Sequence, residues 1–91
     1  MQPELLIGRV LEVSDLPGGR GPSFLVRLDL GARGERDAEM EPGSYTREDL
    51  RGRLVVVSVA DGAIVVAARS HTRGPILIEP ADEVEPGTIV A

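Results

Sequence analysis

Residues 55–68 read VVVSVADGAIVVAA, two solidly apolar stretches separated only by Ala60, Asp61, Gly62 and Ala63. Each stretch is short and rich in β-branched Val and Ile, so length and propensity both favour buried strands over helix. An Asp-Gly pair between two such runs is the strongest short hairpin signal a sequence offers. The stretch therefore predicts two antiparallel strands, over 54–59 and 64–68, in a β-rich chain.

Upstream, Leu5, Ile7, Arg9, Leu11 and Val13 alternate with Leu6, Gly8, Val10, Glu12 and Ser14. This predicts a first strand that is mostly apolar on both faces, with Gly8 permitting a bend. Residues 17–22, PGGRGP, form a loop on composition and close a first hairpin. Over 23–30, Phe24, Val26, Leu28 and Leu30 share one face against Leu25, Arg27 and Asp29, the period of a half-buried strand. Gly31 and Gly34 bracket a turn. A third strand follows over 35–42, with Ala38 and Met40 on one face and Asp37, Glu39 and Glu41 on the other. Thr46-Arg47-Glu48-Asp49 reads as a capping box opening a helix of one to two turns, which Gly52 ends. Beyond the central hairpin come a polar loop at 69–74, a brief strand at 75–79 stopped by Pro80, a turn at Glu85-Pro86-Gly87-Thr88 and a last short strand at 89–91. Three strands, a short helix, two strands and a tail predict one all-β domain over 1–91: a five-stranded Greek-key barrel of the OB type, its helix between strands three and four.

Hydrophobic residues make up 42% of the chain but aromatic ones only 2%. Val, Ile and Leu must therefore fill the core, and little remains for stacking on bases, which counts against single-strand nucleic-acid binding. The absence of cysteine excludes disulfides, a thiol nucleophile and thiolate metal sites. No apolar run approaches the roughly 20 residues of a membrane span, and the N-terminus lacks the pattern of a signal peptide. A cytoplasmic protein without membrane contact is expected.

The net charge of -5 is unevenly spread. Residues 1–27 balance, 28–42 and 74–91 are acidic, and 43–73 are weakly basic. The basic grouping consists of Arg47, Arg51, Arg53, Arg69, His71 and Arg73. Such residues contact phosphates when they create net positive potential. The competing arrangement is a solvated surface on which Arg47, Arg51 and Arg53 pair with Glu48 and Asp49. Asp37, Glu39 and Glu41 lack the turn geometry of a calcium loop and serve to solubilise a sheet edge. His71, beside Ser70 and Thr72, has no oriented partner, and no nucleophile, base and oxyanion arrangement can be assembled. No catalytic residue, metal or cofactor is expected. Leu6, Leu16, Phe24, Leu25 and the Val-rich strands supply the candidates for an apolar patch that would serve dimerisation or an unfolded client; ordinary core accounts for most of them.

The stretches IGRVLEV (7–13), YTREDLRGRLVVV (45–57) and PILIEPADEVEPGT (75–88) together resemble the tRNA-binding OB domain family. Its members are appended to several aminoacyl-tRNA synthetases and also occur free-standing as CsaA-type secretion chaperones. The likeness spans nearly the whole chain and lies in the order and spacing of its parts: Gly8, Val10 and Val13; then Tyr45, Glu48, Leu50, Gly52 and Arg53 ahead of a Val run; then Pro86-Gly87-Thr88. It implies an OB barrel and binding of tRNA or other structured RNA by phosphate contacts from Arg47, Arg53, Arg69, His71 and Arg73. It also implies a homodimer paired through Leu5, Ile76, Ile78, Val84 and Ile89. Two departures remove positive potential. The family's longer basic segment between strands four and five is missing, leaving Asp61 near its Ser position, Ile64 where its Met stands, and Ala67 and Ala68 as its ending. Strand three carries Asp37, Glu39 and Glu41 where relatives are neutral. The alternative is therefore a chaperone-like or protein-interaction dimer, binding unfolded or partner proteins, that has lost RNA affinity.

Overall fold

The computed structural model describes residues 2–17 and 21–91. Among the described residues seven strands form: β1 (Glu4–Asp15), β2 (Phe24–Asp29), β3 (Glu35–Met40), β4 (Leu54–Val59), β5 (Ala63–Val65), β6 (Ala67–Ser70) and β7 (Gly74–Leu77), with helix α1 (Arg47–Leu50) between β3 and β4. The first five make one sheet in the order β3-β2-β1-β4-β5, and β6 pairs with β7. β3 and β5 lie side by side, so the sheet curls into a nearly closed barrel. The expected OB-type architecture is present. Of the expected 17–22 loop, Gly18, Gly19 and Arg20 lie outside the described residues.

The alternation read in β2 is the alternation observed: Phe24, Val26, Leu28 and Leu30 are buried. They join Val10, Val13, Ala38, Leu50, Val55, Val57, Val65 and Leu77 in the barrel interior. Gly8 also faces inward, where a Cβ would stand 2.9 Å from Leu30 Cδ2 and 3.0 Å from Val57 Cγ2, so the position admits no side chain without a shift. β1 carries an irregularity that the sequence did not reveal. Its first half pairs with β4 and its second half with β2, and the register slips between Val10 and Glu12. A bulge of this kind sharpens local twist and lets one long strand serve both sides of a small barrel.

The run at 64–68 is not one strand. β5 ends at Val65, and β6 leaves to pair with β7. Val66 N–H still donates to Val56 C=O at 2.9 Å, but Val56 N–H donates instead to Ile78 C=O at 3.0 Å. Ile78 thus takes over the edge of β4 and ends the β5 ladder. The Ala60-Asp61-Gly62 connection does close a hairpin, with Val59 opposite Ala63. Neither Asp61 nor Gly62 has positive φ, so the turn is not the two-residue type that Asp-Gly favours.

After β7, residues 78–86 cross the outer face of β4 and β1 as a strap. Val84 packs there over Ile7, Leu54 and Val56. Residues 87–90 then run beside the first half of β1: Ile7 N–H donates to Thr88 C=O at 2.8 Å and Val90 N–H to Leu5 C=O at 2.8 Å. The expected strand at 89–91 is reduced to a single bridge between Leu6 and Ile89.

The capping box forms as read. Asp49 N–H donates to Thr46 Oγ1 at 3.1 Å, and Thr46 N–H to Asp49 Oδ2 at 2.9 Å. The helix is a single turn, followed by Gly52 at φ +86. The Thr46 backbone N–H, and then its side chain, hold the Asp49 carboxyl below its ordinary value. With the folded value depressed, the stabilisation is complete above the ordinary carboxylate range and is lost as pH falls through the folded value. Asp49→Asn is expected to destabilise at pH 7 and to differ less from wild type near about pH 3. Urea melts at both pH values test this, and a gap that stays constant refutes it.

Candidate functional site

The sequence-predicted cationic residues gather in two places. Arg47 opens α1 and Arg53 follows it, while Arg69, His71 and Arg73 lie on or beside the β6–β7 hairpin turn. All are exposed or half-buried, yet most face a carboxylate. Arg47 stands 3.8 Å from Asp15, Arg51 3.6 Å from Glu12, Arg53 3.1 Å from Glu79 and Arg69 3.0 Å from Glu41. The expected partners Glu48 and Asp49 are not the ones used. Asp49 is turned back onto Thr46 by the capping box, and Arg51 follows the single turn in extended conformation, outside helical i,i+3 or i,i+4 geometry. The neutralising carboxylates come instead from β1, the end of β3 and the strap.

Arg53 is the most fully engaged of the group. Its Nε donates to Asp49 C=O at 2.6 Å, its Nη1 to Glu79, and its guanidinium lies 5.5 Å from the Tyr45 ring centroid. The Tyr45 hydroxyl in turn accepts from Leu77 N–H at 3.1 Å, so this cluster fastens the helix to β7 and the strap. On the β6–β7 turn, Ser70 Oγ accepts from Thr72 and Arg73 N–H, which shapes the turn and leaves His71 exposed. Among the described residues, Arg36 and Arg73 have no carboxylate within ion-pair distance. Elsewhere Arg27 bonds Glu35 at 2.8 Å and lies 3.3 Å from Asp37, Arg33 bonds Glu4 at 2.7 Å, and Arg9 pairs with Glu83. Hydrogen bonding from Arg33 lowers the Glu4 carboxyl from its ordinary value, as expected of a carboxylate kept charged by a guanidinium.

Leu6 and Phe24 are core, as expected for most of the apolar candidates, and among the described residues Leu5, Ile64, Ile78, Ile89 and Val90 are the exposed large hydrophobics. Of the residues expected at a dimer contact, Leu5, Ile78 and Ile89 are exposed. Ile76 is half-buried, and Val84 covers the Ile7 cluster. The exposure of Ile64 was missed, because it follows from the pairing register of β4 and β5, which no local pattern encodes. A separate cleft of about 850 Å³ lies between the start of β2 and the end of β3. Pro22, Phe24 and Pro42 give it an apolar lining, which Glu41 shares.

These features define a small barrel with mostly ion-paired arginines and several exposed apolar side chains on its surface. No protein-family model and no curated protein matches the sequence. Solved structures share the fold. The chaperone CsaA of Bacillus anthracis matches with TM-score 0.88 at 23% identity, covering 98% of this chain and 91% of that one. CsaA of Picrophilus torridus matches with TM-score 0.90 at 21% identity, covering 98% and 92%. A MetRS-related protein of Pyrococcus horikoshii matches with TM-score 0.80 at 18% identity, covering 98% and 90%. Among the described residues no helix is long and apolar enough to cross a membrane.

Proposed function

We propose that this chain is a non-catalytic, chaperone-like protein-binding module that acts in the cytoplasm as a homodimer. The observation that carries the reading is the pairing of Arg47, Arg51, Arg53 and Arg69 with carboxylates while, among the described residues, five large apolar side chains stand exposed. Phosphate binding needs unneutralised cations, because affinity arises from releasing the counterions that the phosphates hold. Exposed apolar surface on a small domain points instead to protein contact. In this reading the cleft at Pro22, Phe24 and Pro42 receives an apolar stretch of an unfolded client.

The second reading, tRNA or structured-RNA binding, draws on Arg73 and His71 at the β6–β7 turn, which no carboxylate neutralises among the described residues. Two measurements separate them. Bulk tRNA titrated at low and at moderate salt is expected to show no saturable binding at moderate salt. Light scattering from a chemically denatured client diluted into stoichiometric protein is expected to fall at least about twofold. Saturable tRNA binding at moderate salt together with unchanged scattering reverses the order of the two readings.

A further inference from the structure

The strap over 78–86 is tied firmly to the barrel at its two ends and only lightly between them. At one end Val56 N–H donates to Ile78 C=O at 3.0 Å, and just past the other Gly87 N–H donates to Ile7 C=O at 2.7 Å. Among the described residues no backbone hydrogen bond joins 79–86 to the barrel. The middle is held by Val84, packed on Ile7, Leu54 and Val56, and by two ion pairs, Arg53 with Glu79 at 3.1 Å and Arg9 with Glu83. Exposed pairs of this kind contribute little and weaken with salt. A cleft of about 270 Å³ stays open between residues 79–83 and the surface at Arg9, Gly52, Arg53 and Leu54, so the strap does not pack down along its length. It also has chain to spare. Ile7 lies opposite Val56, so the two anchored ends sit three strand spacings apart, roughly 14 Å. The nine residue steps from 78 to 87 reach about 30 Å when extended. The middle therefore lifts without breaking either end, a local opening distinct from unfolding of the barrel.

We propose that the strap is a releasable cover, and that the strip of Ile7, Leu54 and Val56 beneath it takes an extended acidic-apolar segment of a protein partner in its place. The proposal rests on the protein-binding reading above and adds a second contact to it. Opening bares three apolar side chains, now buried, on the outer face of β1 and β4. The cations beside them stay in position, because each has a hold independent of the strap. Arg9 Nη1 donates to Gly52 C=O at 2.8 Å, and Arg53 Nε donates to Asp49 C=O at 2.6 Å. An apolar strip beside two fixed guanidiniums fits a segment whose carboxylates flank an apolar side chain. The strap has that composition itself: Glu79, Asp82, Glu83 and Glu85 surround Val84, and 78–86 contain no cation. It thus occupies the surface as an internal stand-in, and a segment of the same character competes with it for the open state.

The absence of cysteine lets thiol labelling report on the cover. Val56 lies under the strap, whereas its neighbour Val57 and Val26 face the barrel interior. A Val56→Cys chain is expected to react with iodoacetamide at least tenfold faster than Val57→Cys or Val26→Cys chains. Adding Glu79→Gln and Glu83→Gln is expected to raise the Val56→Cys rate at least a further threefold. The probe for the partner is a fluorescent peptide of residues 78–86. The Glu79→Gln, Glu83→Gln chain is expected to bind it at least tenfold tighter than wild type by anisotropy, and to lose that gain when the peptide carries Ser at the Val84 position. Equal labelling at 56, 57 and 26 overturns the releasable cover. A loosened chain that does not bind the peptide, or that binds bulk tRNA in its place, overturns the occupant. Either result leaves the protein-binding reading to the light-scattering measurement, where unchanged client scattering overturns that reading whatever the strap does.

Discussion

Gly87→Ala is expected to lower the unfolding free energy by about 3 kcal/mol, the upper range for a single substitution. Gly31→Ala is expected to do the same. Two causes act together. Both glycines hold positive φ, +90 and +64, where a Cβ is strained. Each also faces the other's backbone: a Cβ on Gly87 would stand 2.5 Å from Leu30 C=O, and one on Gly31 would run into Pro86 C=O. Neither obstacle is a flexible side-chain tip, so the strap's end must lift. Gly87 N–H donates to Ile7 C=O at 2.7 Å, and lifting it threatens the tail's pairing with β1 and the cover over Ile7 and Val56. A domain of this length has about 5–10 kcal/mol in total, so a drop in Tm of about 15 °C should follow. Gly34→Ala and Gly74→Ala are the controls. Their φ values are +85 and +77, but a Cβ there meets nothing within 4 Å. They should cost only about 1 kcal/mol. Equal losses at all four positions would show that backbone conformation alone matters and that the Gly31–Gly87 contact does not hold the tail.

This contact also marks the limit of what the sequence discloses. Elements whose cause is local were legible. The faces of β2 follow from alternation, and the capping box from Thr46 and Asp49 three residues apart. The hairpin at 54–65 follows from two β-branched runs around Asp61-Gly62. Where the cause is distant, the reading fell short. β1 is apolar on both faces, so alternation gives no register and the slip near Leu11 is invisible. The break at Val66 is imposed by Ile78, twelve residues downstream. The candidate site divides in the same way. Arg47, Arg53 and Arg69 could be named as exposed cations from composition and position. Their partners Asp15, Glu79 and Glu41 come from other elements and depend on the folded arrangement. The local alternative, Glu48 and Asp49, was therefore the natural expectation, and the capping geometry of Asp49 defeats it.

Those distant carboxylates make RNA affinity a question that substitution can answer. Glu12→Gln, Asp15→Asn, Glu41→Gln and Glu79→Gln together remove four negative charges, taking the formal net charge from -5 to -1. Four arginines lose their carboxylate partners. The fold should tolerate the change, because exposed ion pairs contribute about 0–1 kcal/mol each. Binding to bulk tRNA at low salt is expected to tighten at least tenfold. The slope of log affinity against log salt should steepen by about three, close to one released counterion per freed cation. The slope matters more than the affinity. A uniform loss of repulsion would tighten binding without adding contacts, whereas a steeper slope reports new phosphate neutralisation. If both change, the carboxylates are what withholds these arginines from phosphate, and the wild-type chain is left to protein contact. If neither changes while the protein stays folded, the arginines are placed for structure. Arg53, fixed between Tyr45 and Asp49, gives the physical reason for that outcome, because its guanidinium keeps two of its partners when Glu79 is neutralised.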